Sequence, residues 1–261
     1  MNIDSEKYAV FLDIDGTLMG TSDDALQRNL DVIKKVRSLG HKVFVNTGRS
    51  SAYMPKKIDL RANFDGVISG AGARIIIGDK EIFSQLVSIP LAKEFCKYSI
   101  EKGIFGILEG VEKMFYTGEY YGEYQPEEAD WVRFDTDNLD EIVTDDDLVE
   151  KLTVLGQVPT DVTDRLGGDC VLLQHSGYAE IIVGGCSKSR AMQCTMEFLG
   201  IPTEQSVAMG DSMNDFDMIE KAGIGVAMGN AIPEIKDIAD MITDDVNSAG
   251  VALALEKIFS L

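Results

Sequence analysis

Two pairs of acidic residues each follow a short apolar segment of the sequence. Asp13 and Asp15 come directly after residues 8–12 (YAVFL), and Asp211 and Asp215 come just after a second such segment, SVAM. Carboxylates are the ligands that Mg²⁺ prefers in proteins, so each pair could hold a divalent cation. Taken alone, either pair is more typical of a tight turn or a helix cap.

Two further stretches carry groups that suit an anionic oxygen. Thr47 and Gly48 follow residues 42–46 (KVFVN), and a hydroxyl group with nearby backbone N–H groups can bind phosphate. Lys188 begins a predicted helix. Each signal is weak alone, because Thr-Gly often starts a helix and most lysines are solvated.

The combination of the four stretches is more informative than any one of them. Four clustered carboxylates would repel one another and any phosphate, and a hard cation removes that conflict. Lys188 would add positive charge and Thr47 would add a hydrogen-bond donor. The sequence therefore predicts a site that can bind a phosphate together with a divalent cation.

The elements that must position these residues alternate between strands and helices. Reactive groups collect at the carboxyl ends of strands in an open parallel sheet, and each of the four stretches is predicted to lie at a strand end or at a helix start. The predicted strands are residues 8–12, 42–46, 66–69, 206–209 and 225–228. The predicted helices are residues 22–39, 189–200, 213–222, 232–239 and 249–260, with Ser22 as a cap, Gly40 and Gly200 as stops, and Met213 and Met218 on a buried face.

The pattern changes in the middle of the chain. We predict hairpins over residues 74–83 and 170–183, a helix over 89–102 and antiparallel strands over 104–108 and 111–116. Asp145, Asp146 and Asp147 are predicted to open a helix. The fold class is α/β, a three-layer Rossmann-like parallel-sheet core (residues 1–83 and 186–261) with an inserted α+β cap domain (residues 84–185).

Charge and composition exclude several kinds of partner. The 24 basic and 44 acidic residues give a net charge of −20, which argues against binding nucleic acid or an anionic membrane. Residues 1–7 are polar and unlike a signal peptide, and no apolar run is long enough to span a membrane. The four cysteines show no paired spacing, which predicts reduced thiols in a cytoplasmic protein. We expect a monomer or a homodimer. We also expect His41 to lie at the surface, because it follows the end of a predicted helix.

The four stretches together resemble the haloacid dehalogenase superfamily of phosphohydrolases, and most of all its Cof-type branch, whose members carry a large inserted α/β cap. The resemblance rests on DIDGT at 13–17, NTGR at 46–49, SKS at 187–189 and GDSMND at 210–215. It extends to GVAMGNA at 225–231 and to residues 242–251. One departure is Ser189, where the family pattern leads us to expect glycine.

The resemblance implies a role for each core residue. Asp13 would be the nucleophile that becomes an aspartyl-phosphate, and Asp15 would be the general acid and base. Thr47 and the backbone near Gly48 would hold phosphoryl oxygens, and Lys188 would neutralise the charge of the transferring group.

The same resemblance implies a metal site and a second layer around it. Mg²⁺ would be held by Asp13, the backbone carbonyl of Asp15, and Asp211. Asn214 and Asp215 would orient those ligands, with Asp215 pairing with Lys188.

The resemblance also implies that the cap selects the substrate, a small phosphorylated metabolite for which family analogy favours a sugar phosphate. Pyridoxal phosphate and flavin mononucleotide are alternative candidate substrates, because related caps accept them. Candidate contact residues in the cap are Arg133, Trp131, Tyr120, Tyr121 and His175, each of which is individually more typical of the cap's own core. Residues 109–150 hold 15 acidic and 2 basic residues, which is typical of a solvated face.

Two alternatives stay open at this point. A phosphomutase uses the same acid pair and a related cap, and it would interconvert phosphosugar isomers. A non-catalytic phosphometabolite sensor could share the fold, but the intact set of Asp13, Asp15, Thr47, Lys188 and Asp211 argues against it.

Overall fold

The apolar segment that precedes Asp13 forms a strand whose side chains are completely buried in the computed structural model. The structure describes residues 6–118, 128–156, 158, 161–167, 170–175 and 177–261. These residues belong to two units, the first made of Met1–Gly48, Ile58–Ile82 and Ser187–Leu261 and the second of Arg49–Lys57 and Phe83–Cys186. The predicted domain division differs most at residues 49–57, which group with the second unit.

The described strands and helices follow one another in a simple chain order. They are β1 (Ala9–Leu12), α1 (Asp23–Ser38), β2 (Lys42–Asn46), α2 (Leu60–Asn63), β3 (Gly66–Ser69), β4 (Arg74–Ile77), β5 (Lys80–Ser84), α3 (Ile89–Lys102), β6 (Phe105–Gly110), β7 (Met114–Tyr116), β8 (Trp131–Arg133), α4 (Leu139–Ile142), β9 (Val149–Leu155), α5 (Val162–Leu166), β10 (Cys170–Gln174), β11 (Tyr178–Val183), α6 (Lys188–Leu199), β12 (Ser206–Gly210), α7 (Phe216–Lys221), β13 (Ile224–Ala227), α8 (Pro233–Ile238), β14 (Met241–Ile242) and α9 (Gly250–Phe259).

The first unit contains a sheet with the strand order β14-β13-β12-β1-β2-β3-β4-β5. The strands from β14 to β3 are parallel, and β4 pairs antiparallel with β3. Helix α1 packs against α9, while α7 packs against α6 and α8. Since β1 is buried on both faces, helices must cover the sheet on both sides.

The second unit contains a sheet with the strand order β10-β11-β9-β6-β7-β8, in which only the β7–β8 pair is parallel among the described strands. Side chains alternate between the two faces of a strand. One face carries Leu108, Phe115, Leu152 and Ile181, which pack with α3, α4 and α5 into an apolar core. The opposite face carries the buried charged residues Glu109, Lys151 and Glu180.

Most predicted elements agree with the structure. The helix over 22–39 is α1, and the Ser22 hydroxyl caps it by accepting a hydrogen bond from the backbone N–H of Ala25 at 3.2 Å. Strands β2 and β3 and helix α3 have the predicted limits. Both hairpins form, although Ser176, at the predicted second turn, lies outside the described residues. Gly200 ends α6 in the left-handed conformation at φ +65°.

Three predictions about the chain were wrong. Asp145, Asp146 and Asp147 do not open a helix, because the Asp147 carboxylate accepts the backbone N–H of Thr144 and closes a turn before β9. His41 is buried rather than exposed, because its ring packs against Tyr8 and Phe259 beside the sheet.

The third wrong prediction concerns the helix over 213–222. A 3-10 turn (Met213–Asp215) precedes α7, and that change of helix type turns Met213 outward, where it is 56% exposed. Met218 lies on the buried face as expected. Strands β8, β9 and β14 and helices α2, α4 and α5 were not predicted.

Two compositional expectations can be compared with the described residues. The four cysteines are all free, with Cys96 and Cys186 buried. None of the helices in the described part of the chain is both long enough and apolar enough to be a membrane span.

Candidate active site

The predicted site residues follow three neighbouring parallel strands of the first unit. Leu12 of β1 pairs with Val45 of β2 on one side and with Met209 of β12 on the other. Asp13, Thr47 and Asp211 therefore leave the sheet at the same edge. This edge, at the carboxyl ends of the strands, is where open α/β sheets bind their ligands.

Lys188 connects these strand ends to helix α6. The hydroxyl of Ser187 caps the helix by accepting the backbone N–H of Arg190, so Lys188 is the first helical residue. Its side chain is 1% exposed, and the ammonium group donates to Asp13 Oδ1 at 2.7 Å and to Asp215 Oδ1 at 2.6 Å. A third bond goes to Asn214 Oδ1 at 3.2 Å.

Asp215 is held by several donors and is completely buried. Its Oδ2 accepts the backbone N–H groups of Asp211 and Ser212, each at 3.1 Å, while Oδ1 accepts from Lys188. Both oxygens are therefore engaged by the protein. Asp215 thus supports the loop that carries Asp211 and fixes the Lys188 ammonium group.

Burial and like charge shift the ionisation of the acids. Burial, together with the charges of Asp215 and Asp15 and against the opposing effect of Lys188, raises the pKa of Asp13 to about 8. Burial and the charge of Asp215 together raise the pKa of Asp211 to about 6. The two carboxylates raise the pKa of Lys188, which keeps its ammonium group charged.

The donor set suits a hard divalent cation. Asp13, Asp211 and Asp215 each offer an oxygen, and these oxygens lie within 4.8 Å of one another. One ammonium group balances only part of this negative charge. Because Asp215 is already engaged, Asp13 and Asp211 are the carboxylates that fit direct coordination. The predicted third ligand, the backbone carbonyl of Asp15, is not part of this carboxylate group.

Two glycines are required by the close approach of these carboxylates. A Cβ on Gly16 would lie 2.4 Å from Asp211 Oδ2, and Gly16 has a φ of +78°. A Cβ on Gly210 would lie 2.4 Å from the Cβ of Asp215. Any side chain at either position would push the acids apart.

The remaining predicted residues lie at the same sheet edge. Asp15 is exposed, in the turn that follows β1, and its charge raises the pKa of both Asp13 and Asp211. Thr47 is buried, and its backbone N–H donates to the carbonyl of Ile68 at 3.0 Å. Gly48 is half-buried.

Sequence reasoning missed two residues that support the site. The hydroxyl of Thr17 donates to Asp211 Oδ1 at 3.1 Å, and it is the last residue of the DIDGT stretch. Asn230 donates to the carbonyl of Gly16 at 2.8 Å and accepts the backbone N–H of Val246 at 2.9 Å. Both lie in stretches that carried the resemblance, which is the signal that could have identified them.

The candidate residues of the second unit have varied surroundings. Arg133 is exposed and Trp131 is half-buried beside Tyr53 and Tyr116. His175 stacks on the ring of Tyr178 at 4.4 Å between centroids and lies 3.2 Å from a carboxylate oxygen of Glu180. Tyr120 and Tyr121 lie outside the described residues.

A model of one known protein family matches most of the chain. The model of the haloacid dehalogenase-like hydrolases matches residues 10–255. A 5-amino-6-(5-phospho-D-ribitylamino)uracil phosphatase of Bacillus subtilis is 27% identical, with 99% of this chain and all of that protein covered. A phosphoglycolate phosphatase of Methanothermobacter thermautotrophicus is 27% identical, with 95% and 97% covered.

Solved structures agree in fold. A haloacid dehalogenase-like hydrolase from Bacteroides thetaiotaomicron has a TM-score of 0.84 at 22% identity and covers 97% of this chain and all of its own. A sugar phosphatase of subclass IIB of the superfamily has a TM-score of 0.79 at 23% identity, with 97% and 99% covered. These likenesses confirm the predicted α/β fold with its second, cap-like sheet.

Proposed function

The chain belongs to the haloacid dehalogenase-like hydrolases, in the Cof-type branch, and is a hydrolase of phosphoric monoesters; we propose that it is a Mg²⁺-dependent phosphatase that works through an aspartyl-phosphate on Asp13. The observation that carries the proposal is the Lys188 ammonium group, which bonds to Asp13 at 2.7 Å and to Asp215 at 2.6 Å inside the protein. A buried cation beside the attacking carboxylate is suited to phosphoryl transfer.

The proposed reaction has two steps. An oxygen of Asp13 attacks phosphorus, the bond from phosphorus to the ester oxygen breaks, and Asp15 gives its proton to the leaving oxygen. Water then attacks the aspartyl-phosphate while Asp15 takes a proton from it, which releases phosphate and restores Asp13. Asp15 is exposed, so it can reach both the leaving group and the water.

The other residues hold charge in place during both steps. Lys188 favours the ionised form of Asp13 and faces the transferring group, while the Thr47 hydroxyl and the backbone at Gly48 bind phosphoryl oxygens. Asp13 and Asp211, with the Asp15 carbonyl, would hold Mg²⁺, which supplies positive charge to the phosphoryl oxygens. Asn214 and Asp215 hold Lys188 and the loop that carries Asp211.

The proposed substrate is a small phosphorylated metabolite, with a sugar phosphate favoured. The relatives named above act on a ribitylamino-uracil phosphate and on phosphoglycolate, and one structural neighbour is a sugar phosphatase. These support a small polar leaving group without identifying it. We assign its recognition to the second unit, residues 84–185 in the predicted division, and we place the protein in the cytoplasm.

The test is phosphate release from p-nitrophenyl phosphate and a panel of sugar phosphates, each with Mg²⁺ and with EDTA. We expect release that needs Mg²⁺ and falls by at least about 10³-fold in Asp13→Asn, since the amide cannot attack phosphorus. Asp79→Asn, the same change at a side chain that is 93% exposed, is the control. Full activity in Asp13→Asn would disprove the mechanism.

The panel also distinguishes the remaining alternative. A phosphomutase would convert a phosphosugar into its isomer while releasing little phosphate. Isomer formation that exceeds phosphate release, followed by chromatography, would therefore replace the phosphatase proposal with the mutase.

A further inference from the structure

Asn46 is a fully buried residue at the end of β2 that the proposed chemistry does not use. Its side-chain amide donates to the backbone carbonyl of Lys188 at 2.9 Å and contacts the sulfur of Met218 at 3.2 Å. Its Oδ1 accepts no hydrogen bond from the described residues. The amide is therefore only half satisfied, in the interior of the first unit.

A half-satisfied buried amide lowers stability. An unpaired polar oxygen in the interior loses its bonds to water without replacement, whereas leucine has a similar volume and no polar atom. Local choices that lower stability are expected where a residue serves function. The hydrogen bond to Lys188 is the feature that an apolar residue could not supply.

The position of that bond explains what it does. The Lys188 carbonyl lies in the first turn of α6, and the Lys188 side chain runs from the same residue to Asp13 and Asp215. In the β1–β2 register, Leu12 is opposite Val45, so Asn46 lies beside the strand end that carries Asp13. Asn46 thus ties the backbone of the lysine to the strand next to the carboxylate that its ammonium group must meet.

We propose that Asn46 is a positioning residue, which holds the start of α6 so that the Lys188 ammonium group stays between Asp13 and Asp215. The lysine side chain is a flexible four-carbon stem, so its ammonium group must be held in position to act on the phosphoryl group. A displacement of about 1 Å in a catalytic group can cost roughly a hundredfold in rate. This inference rests on the proposed function, in which Lys188 neutralises the transferring phosphoryl group.

The chain offers a matched control in Asn63. It is also buried, its amide donates to the backbone carbonyl of Asp59 at 2.8 Å, and its Oδ1 likewise accepts no bond from the described residues. It lies in α2 of the same unit and its bond leads away from the site residues. Asn46→Leu and Asn63→Leu therefore remove the same kind of bond.

The experiment measures kcat, KM and the melting temperature of both variants with p-nitrophenyl phosphate and Mg²⁺. We expect Asn46→Leu to lose roughly tenfold to a hundredfold in kcat without a lower melting temperature. Asn63→Leu should keep its kcat within about threefold of the wild type. If Asn46→Leu aggregates, Asn46→Ala carries the same comparison.

A third variant tests whether the effect passes through the lysine. Lys188→Met should lose more activity than Asn46→Leu, and the double variant should be no worse than Lys188→Met alone. An unchanged kcat in Asn46→Leu, equal losses in both asparagine variants, or a further loss in the double variant would overturn the inference. If the wild type itself releases no phosphate, the proposed function fails, and that result is separate from these outcomes.

Discussion

Asp13 is buried among charged groups, and the cations next to it decide whether it is ionised. Burial and the neighbouring carboxylates, opposed by Lys188, raise its pKa to about 8, so the protonated form is favoured at neutral pH unless a further positive charge is present. A protonated carboxyl cannot attack phosphorus. Asp13 therefore needs positive charge beyond that of Lys188 in order to attack phosphorus, and a divalent cation would supply it.

His41 is a buried residue away from the candidate site, and its ionisation links the stability of the fold to pH. Burial lowers its pKa from the ordinary 6.5, and its Nδ1 accepts the backbone N–H of Tyr8 at 3.1 Å, which requires the neutral ring. Since the unfolded chain then binds more protons than the folded chain below pH 6.5, the free energy of unfolding falls as the pH falls through that value.

His41→Asn tests this pH dependence, because its oxygen can accept the same bond and does not titrate. We expect the urea midpoint of the wild type to fall more between pH 7.5 and 5.5 than that of the variant. Equal falls in the two proteins would contradict the prediction.

Strand β9 shows how one element organises the second unit. It lies between β6 and β11 and places Lys151 between Glu109 and Glu180, all of them buried. The lysine bonds to Glu180 and lies 3.3 Å from Glu109. Burial raises the pKa of Glu109. For Glu180, burial opposes the shift but Lys151 and His175 outweigh it and lower the pKa to about 2.

Removal of Lys151 from its place between Glu109 and Glu180 should strongly lower the stability of the fold. Lys151→Met leaves the two buried carboxylates without their shared ammonium group, which should cost about 3–5 kcal/mol in the free energy of unfolding. The triple variant Lys151→Met, Glu109→Gln, Glu180→Gln should recover much of that loss, because these three positions then carry no charge. Urea denaturation at pH 7 measures all three proteins, and a triple variant no more stable than Lys151→Met would refute the explanation.

At the scale of the whole molecule, the chain forms two units with different roles in the proposal. Each has its own sheet, and the candidate metal ligands Asp13 and Asp211 both belong to the first unit. A ligand that binds only the folded state stabilises the part that holds it. The net charge is −20, so a bound cation also reduces the repulsion among the negative charges of the folded molecule.

Hydrogen exchange can separate the two units. At a Mg²⁺ concentration about 100 times its dissociation constant, amides that exchange through unfolding of the first unit should slow by roughly a hundredfold. We expect slowing in β1 and β12 and none in β6 and β9. Asp211→Asn should abolish it, and equal slowing in all four strands would show that the units unfold together.

The sequence by itself determined the parts that local patterns encode. The buried strands β1 and β2, the capped helix α1 and the stretches that contain Asp13 and Asp211 were all predicted, because periodicity, caps and motif spacing act over a few residues. Strand β9 was not predicted, since its buried Glu150 and Lys151 interrupt the apolar pattern that indicates a central strand.

Only the tertiary structure decided the contacts between distant parts of the chain. The bond from Asn46 to Lys188 joins residues 142 positions apart, and His41 is buried by Phe259 at the other end of the sequence. Residues 49–57 group with a unit whose other residues begin at Phe83. Such outcomes depend on which side chains meet when the sheet forms, and a buried polar group is stable only beside partners that no local pattern specifies.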